Sequence, residues 1–202
     1  MGLIDDIPGY REAIETEGAR RELAYLAFPE IVCSLPVLPL TIEHVAILAQ
    51  LDIEILTGEG VLDAGALELF LWVLSPSFTV AKGFARTARR TRHTWRFWRA
   101  KRRHGIEVLA AGVNAYIAEA FADSPPSRGG PASAPYASWI ASKVDFFATE
   151  YGWSLRDIMA LPVKVAFQQD REMARRMNPK IILFNGSDRF RTQWLAERNK
   201  QN

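Results

Sequence analysis

The chain has 202 residues, 49% of them hydrophobic and 24% charged, a balance that suits one substantial core and argues against disorder. Cys33 is the single cysteine, which excludes an internal disulfide framework and a cysteine-based zinc cluster. The net charge of +2 hides a division: residues 82–104 hold ten Lys or Arg and no Asp or Glu, leaving 15 basic against 23 acidic groups, about −8, elsewhere.

The opening MGLIDDIPGY is acidic and broken by Pro8 and Gly9, unlike the basic-then-apolar layout of a secretory signal. Tyr10 to about Ala27 reads as a weakly amphipathic helix ended by Pro29. FPEIVCSLPVLPLT, with prolines between β-branched residues, predicts an extended connector or a short edge strand. Thr41 is placed to cap a helix from Ile42 to about Ile55, with Ile42, Val45, Ala46 and Ala49 on one stripe and TGEG closing it.

Asp63 caps the next predicted helix. Leu67, Phe70, Leu71 and Leu74 recur there at the core-facing period, while Leu69, Trp72 and Val73 fill the other sides. A helix apolar nearly all round belongs at the centre of a core. It is also far shorter than the ~20 residues a spanning helix needs, so no membrane span is expected.

The basic segment predicts one long helix from about Phe78 to Arg103, stopped by Gly105. On a helical projection Phe84, Ala88, Thr91, Trp95 and Trp98 fall in a narrow stripe, which reads as the seam against a neighbouring helix. That places the tryptophans in the core and leaves Phe97 as the exception, off the stripe. An amphipathic helix follows, with Ile106, Leu109, Ala110, Val113, Ile117, Ala120 and Phe121 on one face.

DSPPSRGGPASAPYA is Pro-, Gly- and Ser-rich, the composition of a mobile linker. The expected organisation is an N-terminal helical bundle over 1–122, a linker over 123–135 and a smaller C-terminal helical part over 136–202. In that last part Tyr136 to Tyr151 reads as a helix closed by Gly152. Ser154 and Asp157 have capping-box spacing, and Trp153 and Ile158 occupy hydrophobic-staple positions. Pro162 ends that short helix or opens the next, which runs to about Met177 with Val163, Ala166, Phe167, Met173, Ala174 and Met177 on one side. IILF is a short apolar extended segment, and Ser187 or Asp188 caps a last helix. The fold class expected is all-α.

Signals for catalysis are missing from the sequence. GEG at 58–60 lacks both a preceding strand and the lysine of a phosphate loop, and neither G-x-S-x-G nor H-E-x-x-H occurs. His93 and His104 share nearly one helix face but lie three turns apart among arginines, which repel a cation. His44 stands alone as a surface or boundary residue. Asp63 is accounted for as a cap, and no histidine partners Glu68 or the Asp5–Asp6 pair. No catalytic residue, metal or cofactor is expected.

The cationic face is the remaining feature. A solvated surface, an acidic protein partner and nucleic acid all suit it, and a membrane surface suits it less because the apolar stripe is needed for the core. The candidate partner-binding residues are Arg89, Arg92, Arg96, Arg99, Arg103 and Phe97.

LPLTIEHVAILAQLDIEILTGEG and VLDAGALELFLWVLSPSF together resemble a class of small helical proteins encoded among bacteriophage tail genes, of the tail-assembly-chaperone type. YGWSLRDIMALPVKVAFQQ is similar to the aromatic-turn-then-helix ending of such proteins. The resemblance touches about half of the chain, through packing and capping patterns. It implies a non-catalytic assembly or tail-associated factor that binds tape-measure or tube proteins in the host cytoplasm or in the virion. The alternative is a nucleic-acid-binding protein that uses the 82–104 helix.

Overall fold

The computed structural model describes residues 16, 24–26, 29–53, 63–80, 87–123 and 138–178. Most of the first predicted helix, the TGEG turn, the linker from 124 onward, IILF and the last predicted helix lie outside the described residues. Seven helices and a two-stranded hairpin make up the rest, so the chain is all-α as its periodicity requires.

The hairpin pairs β1 (Glu30–Val32) with β2 (Leu35–Val37), antiparallel, with Ile31 opposite Pro36. Its two-residue loop, Cys33–Ser34, has positive φ at both positions (46° and 70°), the requirement of the tight turns that match strand twist. Alternation buries Val32, Leu35 and Val37 and turns Ile31 and Pro36 outward.

Thr41 caps α1 (Ile42–Gln50) in a capping box whose third helical residue is His44 instead of the usual Glu or Gln. The Thr41 side chain accepts from the His44 N–H at 3.3 Å, and the Thr41 N–H donates to His44 Nδ1 at 3.2 Å. The lone histidine is therefore a capping residue. Burial holds its pKa below the ordinary value, which keeps Nδ1 an acceptor. The helix stops at the Leu51 cap, several residues before Ile55.

Asp63 caps α2 (Ala64–Val73) by accepting from the Ala66 N–H at 2.7 Å. Leu67, Phe70, Leu71, Trp72, Val73 and Leu74 are all at most 1% exposed, which makes α2 the centre of the core. Around it pack α1, α3 (Ala88–His104) and α4 (Ile106–Ala120). Gly105, at φ 86°, separates α3 from α4 where an L side chain would be strained. The Tyr116 hydroxyl of α4 donates to the Leu38 carbonyl at 2.6 Å and pins the segment after the hairpin.

Beyond residue 138, α5 (Trp139–Tyr151) ends at Gly152 in the left-handed conformation (φ 65°). Ser154 caps α6 (Leu155–Met159) by accepting from the Asp157 N–H at 3.3 Å. Its hydroxyl donates to the Asp157 carboxylate at 2.6 Å, so the expected pair forms with the acid on the hydroxyl. Trp153 and Ile158 join one apolar cluster with Ile42 and Phe147, as the staple spacing predicts.

Pro162 opens α7 (Val163–Met177). Val163 and Phe167 belong to the same core as Leu109 and Val113 of α4, and the Ile42 N–H donates to Leu161 O at 3.1 Å while the Val163 N–H donates to Leu40 O at 2.8 Å. Met177 departs from its expected inward face: at 81% exposed it sits on the last turn, past the helices that α7 packs against.

Candidate functional site

Helix α3 carries the site, and its orientation corrects the sequence reading. It begins at the Thr87 cap, whose side chain accepts from the Arg90 N–H at 3.2 Å, and not at Phe78, which packs edge-on against Trp72 in the turn after α2. Phe97 is 0% exposed, whereas Trp95 and Trp98 are 59% and 52% exposed. Ala88, Thr91, Trp95 and Trp98 of the expected seam are thus on the outside, Phe84 lies outside the described residues, and Phe97, offered as a partner-binding residue, is core. Residues 95 and 97 lie about 200° apart on a helix, so burying one exposes the other.

The inner stripe is His93, Phe97, Ala100 and His104, spaced four, three and four residues apart, with Arg90 and Thr94 at its edge. What selects it is the surface of α2. Glu68, 8% exposed, needs donors and receives them from an Arg90 guanidinium nitrogen and from the Thr94 hydroxyl at 3.1 Å. The Arg90 guanidinium also lies 5.2 Å from the centre of the Trp72 ring, and the His93 ring lies 5.2 Å from it. A tryptophan in that seam leaves the Glu68 carboxylate buried without a donor, which costs more than exposing an indole.

His93 is 9% exposed and makes a hydrogen bond to the Glu68 backbone. Burial first, then the positive charges of Arg90 and Arg96, push its pKa down to about 4, so the imidazole is neutral at ordinary pH. Its Nε2 is buried without a hydrogen-bond partner, as is Nε2 of His104.

The outer surface of α3 divides into two sectors. Arg89, Arg92, Arg96, Arg99 and Arg103, at intervals of three and four residues, form a ridge within about 80° of arc. Beside it Trp95 and Trp98 stand with Arg99, Lys101 and Arg102 around a surface hollow of about 710 Å³. The Arg99 guanidinium lies 5.4 Å from the Trp95 ring centre, and Lys101 Nζ lies 4.4 Å from that of Trp98. None of the ion pairs among the described residues engages the five ridge arginines.

Elsewhere the polar pairs are structural: Lys143 with Asp170, Lys164 with Glu119, and Gln168 Nε2 donating to the buried Asp123 carboxylate at 3.0 Å. Among the described residues no cluster of His, Cys, Asp and Glu has the arrangement of a metal site, and no helix is long and apolar enough to cross a membrane.

No known protein family, curated protein or solved structure matches this chain. The class supported by fold and site together is an all-α domain that presents one cationic, aromatic helix face.

Proposed function

We propose that the protein binds single-stranded nucleic acid, without catalysis, through the outer face of α3. The observation that carries this reading is the exposure of Trp95 and Trp98 on a helix whose other outward side chains are mainly arginine. Indole faces beside guanidinium groups are the combination that single strands use, since bases stack on the rings and cations track the phosphates. The arginine ridge alone serves any polyanion. The tryptophans narrow the choice to one with flat, apolar faces.

A membrane surface fits less well, because interfacial helices need a broad apolar face and this sector offers two indoles between cations. The tail-assembly role implied by the resemblance is the second reading. Its support is that exposed Trp and Arg are also the residue types that dominate protein interfaces.

The test is fluorescence anisotropy of a labelled oligothymidylate titrated with the full chain at several salt concentrations, beside capture of tape-measure and tube proteins. Changing Trp95 and Trp98 together to Ala is expected to weaken oligonucleotide binding at least about tenfold, since each stacked base is worth about 1–3 kcal/mol. Undiminished binding by the variant contradicts stacking. Capture of a tail protein, lost in the same variant and with oligonucleotide binding absent, favours the second reading.

A further inference from the structure

On the arginine side of α3, away from the tryptophans, a cleft of about 450 Å³ opens between three elements. Helix α3 supplies Arg89, Arg92, His93 and Arg96, strand β2 supplies Leu35 and Pro36, and the turn after α2 supplies Ser75, Pro76 and Ser77. Among the described residues no carboxylate lines it. Glu68, the acid buried near α3, is already engaged by Arg90 and Thr94. Arg89, Arg92 and Arg96, all exposed, therefore line one open cleft with no counter-charge from the described residues, an arrangement an oxyanion relieves and a neutral ligand does not.

Two further polar side chains line the cleft. His93 is one of the lining residues, and its Nε2 lies buried behind the wall without a hydrogen-bond partner. The Ser75 hydroxyl, 5% exposed, accepts from the Ser77 N–H at 3.1 Å and keeps its own proton as a donor.

We propose that this cleft binds a phosphate monoester, gripped by Arg89, Arg92 and Arg96. The monoester is favoured over a diester on charge and shape. A dianion answers three neighbouring cations better than a monoanion does, and walls from three elements seat a terminal group where a continuous strand must pass over. The proposal does not rest on the tryptophan face, which occupies a different sector of the helix. The monoester has two sources, the phosphorylated end of a nucleic acid strand and a small phosphorylated molecule.

Isothermal titration calorimetry of the full chain with phenyl phosphate and with methyl phenyl phosphate tests it. The monoester is expected to bind about tenfold or more tightly than the diester, and changing Arg92 and Arg96 together to Gln is expected to remove about tenfold of that affinity, as loss of charge-assisted hydrogen bonds does. The Trp95 and Trp98 alanine variant is expected to bind phenyl phosphate unchanged. Should the double arginine variant unfold by circular dichroism, Arg89→Gln replaces it, with a several-fold loss expected. Equal affinity for the two esters, or full affinity in the arginine variants, overturns the proposal. Where the monoester preference holds, an oligothymidylate with a 5′-phosphate that outbinds its 5′-hydroxyl counterpart assigns the strand end, and equal binding of the pair assigns a small phosphorylated molecule.

Discussion

Glu68 shows how one buried charge fixes its surroundings. Its side chain is 10% exposed and that of Arg90 is 21% exposed, so each has given up most of its water for the other. Glu68→Ala leaves Arg90 half-buried without its partner and is expected to cost about 3 kcal/mol, read from the denaturant midpoint at unchanged slope. His93 makes the same seam sensitive to pH. Its folded pKa of about 4 lies below the ordinary 6.5, so the unfolded chain takes up this proton first as pH falls. Stability held in full above pH 6.5 is lost as pH drops toward 4, by about 3 kcal/mol in all. In His93→Gln the decline between pH 7 and pH 4 is expected to shrink by that amount; an equal decline in both proteins contradicts the assignment.

At the scale of elements, caps and stops were legible because each depends on a few adjacent residues. Thr41, Asp63 and Ser154 all cap where their spacing places them, and Gly105 and Gly152 both end helices with positive φ. Ser154→Ala is expected to cost about 1 kcal/mol, measurable by thermal unfolding. The central position of α2 was legible too, since an all-round apolar surface has only one place to go.

The rotation of α3 was not. Two apolar directions exist on that helix, and counting hydrophobicity favours Trp95 and Trp98 over Phe97 and Ala100. The deciding partner is Glu68 on another helix, and pairings across elements leave no trace in local periodicity. Phe97→Ala is accordingly expected to destabilise the fold by about 3–5 kcal/mol. Trp95→Ala is expected to stay within about 1 kcal/mol, the scale of an exposed cation–π interaction. Greater destabilisation by Trp95→Ala than by Phe97→Ala places the helix in the other orientation. Of the candidate residues, the five arginines are legible from spacing alone as one ridge. The hollow beside Trp95 depends on that rotation, and the cleft over Arg92 on the rotation and on the hairpin.

At the scale of the molecule, the division of charge in the sequence has a counterpart among the described residues: helix α3 gathers most of its cations on the side turned from the core. Replacing Arg89, Arg92, Arg96 and Arg99 together by Gln is expected to leave the circular dichroism spectrum intact, since exposed changes cost little. The same variant is expected to flatten the salt dependence of oligonucleotide binding, by about 0.7 in log–log slope for each phosphate that is no longer neutralised. The central claim is that the tryptophans of α3 meet bases directly. Photocrosslinking of a single strand carrying iodouracil to the full chain, followed by peptide mass spectrometry, locates that meeting point. Adducts on Trp95 or Trp98 are the predicted result, and adducts confined to residues outside α3 contradict it.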